Sequence, residues 1–370
     1  MGKKTYVKEI LILCAYFLAV SGLIMILDIS SVSSAAAGGS PYRIFLKQLG
    51  FLIASSVVFF ALWDVDIATI RAAVPFALIV SFILLAILFI PGVTHAVKGA
   101  RRWFFLTKSL AVQPVEFVKI IWVVYLADYL DRHRKELNNY RILPGPLVIL
   151  LVAILLVYKQ PDFGSAIIFI SIFLIVFFLA DVPFKRLIGI VLAGLPFCYW
   201  AIVGTSYRKD RIMALFEPFK HSSAEGYQRL RSLIAVVSGG VVGKGAGSST
   251  SKLMYLPCAH TDFIFSVICE EFGFLGAAAI LLLFIVFVII GFRMAKKCRD
   301  NFSKILIGGL VSLIALQAFA NIGVALGSLP TKGLALPFMS YGGSNLLATF
   351  TALGLIITVY MESAERMLGE

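Results

Sequence analysis

Apolar residues along the chain gather into long runs separated by short polar punctuation. Ten runs can be marked: 9–27, 45–63, 74–91, 112–130, 146–158, 163–181, 184–203, 262–292, 304–327 and 342–362. A helix that crosses the hydrocarbon core needs roughly 20 mostly apolar residues at 1.5 Å rise each, and most of the runs meet that length. The fifth is short for a full span, and the eighth is long enough to tilt. The fourth carries Glu116, Lys119 and Asp128 and is the least lipid-like. The pattern predicts an all-α polytopic membrane protein of about ten transmembrane helices, one membrane domain over residues 1–370. No internal repeat, soluble domain or low-complexity tail interrupts it. The longest polar stretch, about 204–261, lies between helices seven and eight. Inside it, Tyr227 to Val237 spaces its apolar residues along one helix face, which predicts a helix lying on the membrane interface.

Composition agrees: 60% of residues are hydrophobic and only 14% charged, whereas a soluble globular protein carries roughly 25% charged residues. The five cysteines have no CxxC spacing and the four histidines are scattered, so no zinc or other metal site is predicted. Lys3, Lys4 and Lys8 precede the first run without a convincing cleavage site, which makes that run a retained first helix.

Charge sets the orientation. With ten spans both termini share a side. The short loops there carry 16 Lys and Arg, against eight in the short loops opposite. Basic short loops stay in the cytoplasm, while a long loop translocates largely regardless of charge. Both termini are therefore expected in the cytoplasm, with the 204–261 loop outside. That loop holds Arg208, Lys209, Arg211, Lys220, Arg229, Arg231, Lys244 and Lys252, and Arg101, Arg102 and Lys108 join them from the connection between helices three and four. So basic an outer face suits either anionic headgroups or an anionic substrate such as a phosphate or pyrophosphate.

Several segments on that face could carry chemistry. Gly239 to Gly247 is glycine-rich and permits close backbone approach, yet it lacks the G-x-x-x-x-G-K-[ST] of a nucleotide loop. Asp262 stands at the mouth of an apolar helix, where a carboxylate is costly and a functional candidate by default. Burial against Phe263 and Phe265 would raise its pKa toward that of a general base, although an aspartate here would equally suit a helix cap. Between helices nine and ten, Asn321 to Ser344 contains two prolines and five glycines, and broken backbone at membrane depth is tolerated only inside protein or beside a wet cavity. Lys332 offers that segment a cation, and Ser340, Tyr341 and Ser344 offer hydroxyls. Glu116 and Lys119, at i and i+3 on helix four, face each other. Asp162 sits in the joint between helices five and six as an ion-pair partner or a cap.

Six pieces of the chain resemble, in order, the SEDS family (shape, elongation, division and sporulation) of RodA and FtsW proteins. They are Gly99-Ala-Arg-Arg-Trp103, Gln113-Pro-Val-Glu116, Gln160-Pro-Asp-Phe-Gly164, Gly226-Tyr-Gln228, Ala259-His-Thr-Asp-Phe-Ile-Phe265, and Pro330-Thr-Lys-Gly with Leu336-Pro and Ser340-Tyr-Gly-Gly-Ser344. Each alone is weak, but together they cover essentially the whole chain, and the Ala-His-Thr-Asp and Pro-Thr-Lys-Gly variants look closer to the FtsW branch. The resemblance implies an inverting peptidoglycan glycosyltransferase that polymerises lipid II into β-1,4 glycan at the outer membrane face, for elongation, division or sporulation. It implies Asp262 as the catalytic residue and a class B penicillin-binding protein as partner, together with lipid II, the nascent glycan and membrane lipids. Nucleic acid is not an expected partner. The substrate-binding candidates are Arg101, Arg102, Gln228, Lys252, His260, Lys332 and Ser340; Glu116, Lys119 and Asp162 are support. No cofactor is assigned; a divalent cation, Mg2+ or Mn2+, is the candidate, since it would help screen the pyrophosphate. One departure stands out: many members have a glutamate where this chain has Cys258, so an acidic neighbour four residues before Asp262 is missing.

Three other functions fit parts of the pattern. A lipid II flippase would use the same basic face without a base, and the Glu116–Lys119 charges suit transport. A non-catalytic scaffold for the penicillin-binding protein would tolerate any residue at position 262. An ordinary secondary transporter should show two matching halves with paired broken helices, and the sequence has no such symmetry.

Overall fold

The computed structural model describes residues 6–36, 40–90, 94, 101–107, 110–203, 224–252, 259–330 and 333–368. Among them are eleven α-helices: α1 Val7–Ala36, α2 Arg43–Ala61, α3 Ile67–Ile87, α4 Pro114–Arg132, α5 Pro144–Lys159, α6 Phe163–Leu179, α7 Phe184–Val203, α8 Ala224–Ser238, α9 Ile264–Lys297, α10 Asn301–Ala325 and α11 Gly343–Leu368. Ten answer to the ten apolar runs. The eleventh, α8, is the amphipathic helix expected in the long loop. Seven of the described helices are long and apolar enough to cross a membrane by length and composition, and α6 is a shorter apolar helix. The fold is thus a polytopic all-α membrane protein.

Local chemistry sets the helix starts. Asp66 caps α3 through Thr69 N, Asp162 caps α6 through Ser165 N, and Asp300 caps α10 through Ser303 N, each satisfying one of the amides a helix start leaves unpaired. Pro114 opens α4 at a position where its missing N–H costs nothing. One element was not predicted. Between α3 and α4, β1 (Phe104–Thr107) and β2 (Leu110–Val112) form an antiparallel hairpin with Phe104 opposite Val112.

The bundle is built around α10 and α11, whose apolar windows are 78% buried, against 22% for α2 and 28% for α3. Small residues let the central helices approach. A Cβ on Gly291 of α9 would meet Val311 of α10 at 2.4 Å, and one on Gly309 of α10 would meet Val123 of α4 at 2.7 Å. This is the close packing expected where no hydrophobic effect drives helices together.

Contacts sort the connections onto two faces. On the N-terminal face, Arg71 pairs with Asp128 and Asp131, each at 2.7 Å, and Arg132 pairs with Asp128 at 2.7 Å. There too Ile67 N donates to Glu362 at 2.6 Å. The opposite face gathers the hairpin, the α5–α6 joint, α8, the start of α9 and the segment between α10 and α11.

Candidate functional site

Asp262 heads a tightly constrained piece of backbone. The long helix α9 is two helices joined at Gly273, whose φ of 64° and ψ of −160° suit glycine alone. The first piece, Ile264–Phe272, is a half-helix buried from Ile264 to Glu271. The second, from Phe274 onward, is the span. The break frees backbone groups that apolar surroundings cannot satisfy, and the glycine-rich turn after α8 takes them. Phe274 N and Leu275 N donate to Gly240 O and Val241 O at 2.9 and 3.2 Å, while Lys244 N and Gly245 N donate to Glu270 O and Glu271 O, both at 3.0 Å. Backbone lies on backbone here: a Cβ on Gly239 would stand 1.9 Å from Cys269 O, and one on Gly243 2.1 Å from Glu271 O. That contact is the physical reason for Gly239 and Gly243, and positive φ is the reason for Gly240, Gly245 and Gly247.

The other end of the half-helix is fixed by neutral hydrogen bonds. Asn321, near the end of α10, donates from Nδ2 to Asp262 O at 2.9 Å and to Leu334 O at 2.7 Å. Ser340 Oγ donates to Thr261 O at 2.5 Å and accepts from Leu336 N at 2.9 Å, and Tyr341 N donates to His260 O at 2.9 Å. The Asp262 carboxylate lies over Gly333, where a Cβ would meet its Oδ2 at 3.7 Å, in ordinary contact. Asp262 itself stays partly exposed, while Phe263 and Phe265 behind it are buried. His260 meets the Tyr341 ring edge-on at 5.5 Å, and burial pushes the Tyr341 phenol above its ordinary pKa.

The remaining candidates divide by what they touch. Arg101 is exposed at the foot of the hairpin. Arg102 braces the α5–α6 joint, donating to Gln160 O at 2.9 Å and to Pro161 O, and so stands beside the Asp162 cap. Gln228 is partly exposed on α8. Glu116 and Lys119 form the ion pair expected of them at 2.7 Å, with Lys119 buried and Gln317 Nε2 3.3 Å from Glu116. Lys332 and Cys258 lie outside the described residues.

Two expectations need correcting. Ser340 is fully buried and both hydrogen bonds of its hydroxyl hold backbone, so that hydroxyl is used to shape the site. Lys252, expected to meet an anionic substrate, is only 5% exposed and bonds to Asp28 Oδ1 at 2.8 Å and Glu271 Oε1 at 3.1 Å. Burial alone would lower its pKa, but the hydrogen bonds and charges of Asp28 and Glu271 outweigh it and hold the ammonium above its ordinary 10.5.

Sequence reasoning passed over two residues. Asn321 carried a usable signal, a buried amide near the end of an apolar helix. Gln48 carried little: it donates to Ser340 O at 3.3 Å and accepts from Gly342 N at 3.3 Å, and its position inside α2 says nothing of a partner about 290 residues on in sequence. An apolar cavity of about 290 Å³ opens between α3, α4 and α11, lined by residues including Ile70, Val74, Phe117, Ile120 and Leu355. It is separate from the residues around Asp262.

Known proteins resemble this chain along nearly its whole length. Residues 8–365 match the family model of FtsW, RodA and SpoVE cell cycle proteins. The probable peptidoglycan glycosyltransferase FtsW of Geobacter metallireducens is 36% identical over 353 residues, covering 95% of this chain and 93% of that one. Stage V sporulation protein E of Bacillus subtilis is 33% identical over 359 residues, 96% and 98% of the two chains. Among solved structures, a chain from work on the coordination of polymerization and crosslinking by a peptidoglycan synthase complex superposes with a TM-score of 0.78 at 27% identity, over 94% of this chain and 97% of that one. Thermus thermophilus rod shape determining protein RodA does so at 0.67 and 27%, over 94% and 96%. With a clamped aspartate at the head of a buried half-helix and this likeness along nearly its whole length, the chain belongs to the FtsW/RodA/SpoVE family.

Proposed function

We propose that this protein is a peptidoglycan glycosyltransferase that polymerises lipid II, with Asp262 as general base. The observation that carries the proposal is the clamp on Asp262: its backbone and those of its two preceding residues are held by Asn321, Ser340 and Tyr341, while its side chain stays partly exposed. A base must be held within hydrogen-bond reach of the proton it takes, and a rigid backbone gives that reach.

In the reaction, the 4-hydroxyl of an acceptor N-acetylglucosamine loses its proton to Asp262. Its oxygen bonds to C1 of the donor N-acetylmuramic acid as the C1–O bond to the lipid pyrophosphate breaks, inverting C1 to a β-1,4 linkage. Pyrophosphate leaves without a protonating acid, so one carboxylate suffices, unlike the two-carboxylate hydrolases. Charge growing on the leaving group calls for fixed cations. Arg102, beside the Asp162 cap, is the best held; Arg101, next to it in sequence, and Lys332, in the Pro330-Thr-Lys-Gly333 segment, are the other candidates. A divalent cation would arrive on the pyrophosphate. Gln228 and His260 are proposed to bind sugar or peptide, and the apolar cavity between α3, α4 and α11 suits a polyprenyl segment.

The Asp262 face is proposed to lie outside the cytoplasmic membrane, with both termini in the cytoplasm, following the excess of Lys and Arg in the short loops of the N-terminal side. The likeness to a chain studied in a peptidoglycan synthase complex supports a class B penicillin-binding protein as partner. The test is glycan synthesis from lipid II by the purified protein with that partner, comparing wild type with Asp262→Asn. Ladders from wild type alone support the proposal. Equal ladders from both would remove Asp262 from the chemistry, and lipid II translocation without ladders would point to a flippase, which the buried Glu116–Lys119 pair also suits.

A further inference from the structure

We propose that Lys252 is a positioning residue for Asp262, acting through its ion pairs to Asp28 of α1 and Glu271 of the half-helix. The inference deepens the glycosyl-transfer reading and rests on it. Asp262 and Glu271 lie at opposite ends of the same short element, Asp262 at its head and Glu271 beside the Gly273 joint. The head is fixed by neutral hydrogen bonds to the α10–α11 segment. The foot is held by the backbone bonds of Lys244 N and Gly245 N to Glu270 O and Glu271 O, both at 3.0 Å, and beyond them by charge. Lys252 Nζ bonds both oxygens of Asp28, at 2.8 and 2.9 Å, and Glu271 Oε1 at 3.1 Å. Glu271 Oε1 also accepts from Ser249 N at 3.2 Å. Next to it, Glu270 takes the Lys244 ammonium at 2.6 Å and the hydroxyls of Ser249 and Thr250 at 2.6 and 2.8 Å.

A plain need for stability does not account for this cluster. Three carboxylates face two ammonium groups, and the side chains of Glu270, Glu271 and Lys252 are at most 5% exposed. Desolvation of such ions roughly cancels their attraction, and apolar residues of the same volume often hold a core as well or better. What ions add is direction: a buried pair specifies one register where a leucine contact would accept several. The register specified here is that of the half-helix against α1, a helix otherwise remote in sequence from Asp262. The joint at Gly273 makes such a tie necessary. Because the helical ladder is interrupted there, the membrane span cannot by itself hold the half-helix in place. Lys252 therefore sets the foot, and through nine residues of rigid helix the head, where a displacement of about 1 Å costs on the order of 100-fold in rate.

The experiment compares three variants of the full chain with its partner: Lys252→Arg, Asp28→Asn, and the triple Asp28→Leu/Lys252→Met/Glu271→Leu. The triple removes every charge of the tie and leaves no lone buried ion. Asp28→Asn keeps a balanced Lys252–Glu271 pair, so it stays informative if the triple does not fold. Each is read by kcat and KM for lipid II, by thermal midpoint, and by amide hydrogen exchange across residues 259–273. We expect Lys252→Arg to keep most of the turnover. Asp28→Asn should lose about 3- to 10-fold in kcat and the triple about 10- to 100-fold, with KM within about two-fold and the thermal midpoint little changed, while exchange across 259–273 quickens. A folded triple, or a folded Asp28→Asn, with wild-type kcat and wild-type exchange would overturn the proposal. So would a rise in KM at unchanged kcat, which would return Lys252 to substrate binding. If wild type itself makes no glycan, the glycosyl-transfer reading fails, and the exchange data still decide whether Lys252 orders the half-helix.

Discussion

Replacing Asn321 tests the clamp most directly. Its side-chain amide is 1% exposed and donates to two carbonyls, Asp262 O and Leu334 O. Both acceptors lose their partner when the amide goes. A buried polar group left unsatisfied costs about 1–3 kcal/mol, so two cost about 2–6 kcal/mol. The two natural substitutions should fall at different ends of that range. Asn321→Ala leaves room for a water to bridge the carbonyls, a wet contact nearly as good as a direct one, and belongs near 2 kcal/mol. Asn321→Leu fills the space with hydrocarbon and belongs near the top. Turnover should follow the same order, because the carbonyl released is that of Asp262: about 10-fold lost for alanine and on the order of 100-fold for leucine, the scale of a 1 Å misplacement. The assays are urea or thermal unfolding in detergent and lipid II polymerisation with the partner. Equal stability and equal rates for wild type, alanine and leucine would refute the clamp. Leucine outperforming alanine would refute the account of why it matters.

Other perturbations probe the rest of the framework. Gly273→Ala forces a side chain into a backbone conformation costing about 1–3 kcal/mol and drives its Cβ to 2.4 Å from Gly243 N, so folded yield should collapse in size-exclusion profiles. Lys119→Met leaves the Glu116 carboxylate without its 2.7 Å partner and should cost about 3–5 kcal/mol in unfolding experiments, with Glu116→Gln/Lys119→Met recovering much of it. Asp300 has a pKa held below its ordinary 3.8: burial would raise it, but hydrogen bonds from Ser303 and Ser363 outweigh burial. Since the folded pKa is the lower one, its contribution is present above about pH 4 and fades as pH falls through the folded value. Asp300→Asn should therefore lower the thermal midpoint at pH 7, with the difference narrowing in acid.

How much of this was legible in the sequence depended on the range of the interaction. Spans were legible because hydropathy is a property of a run of residues, and all ten runs became helices. Glu116 and Lys119 were legible because i, i+3 spacing is helix geometry. Asp262 was legible as a carboxylate where one is costly. The break at Gly273 was hidden inside a stretch read as one span, interrupted only by Glu270 and Glu271 just before it, since it depends on Val241 and Gly243 meeting it from another segment. Lys252 misled for a related reason. Its charge is visible in the sequence but its two carboxylate partners are not, one 224 residues away in α1 and one 19 residues on in α9. The hairpin at Phe104–Val112 was missed because two strands this short leave no usable alternation.

The joint in α9 also bears on how the protein meets membranes of different thickness. The part that crosses, Phe274–Lys297, is roughly 36 Å long at 1.5 Å per residue, longer than a hydrocarbon core of about 30 Å. Such a helix relieves its mismatch by tilting. In a continuous helix that tilt would swing Asp262 with it. Here the half-helix departs from the axis of the span at Gly273 and is fastened to α1, α10 and the α10–α11 segment, so its position is set by those elements as well as by the span. Polymerisation is therefore expected to vary little between bilayers of short and long acyl chains even where the tilt of α9 varies.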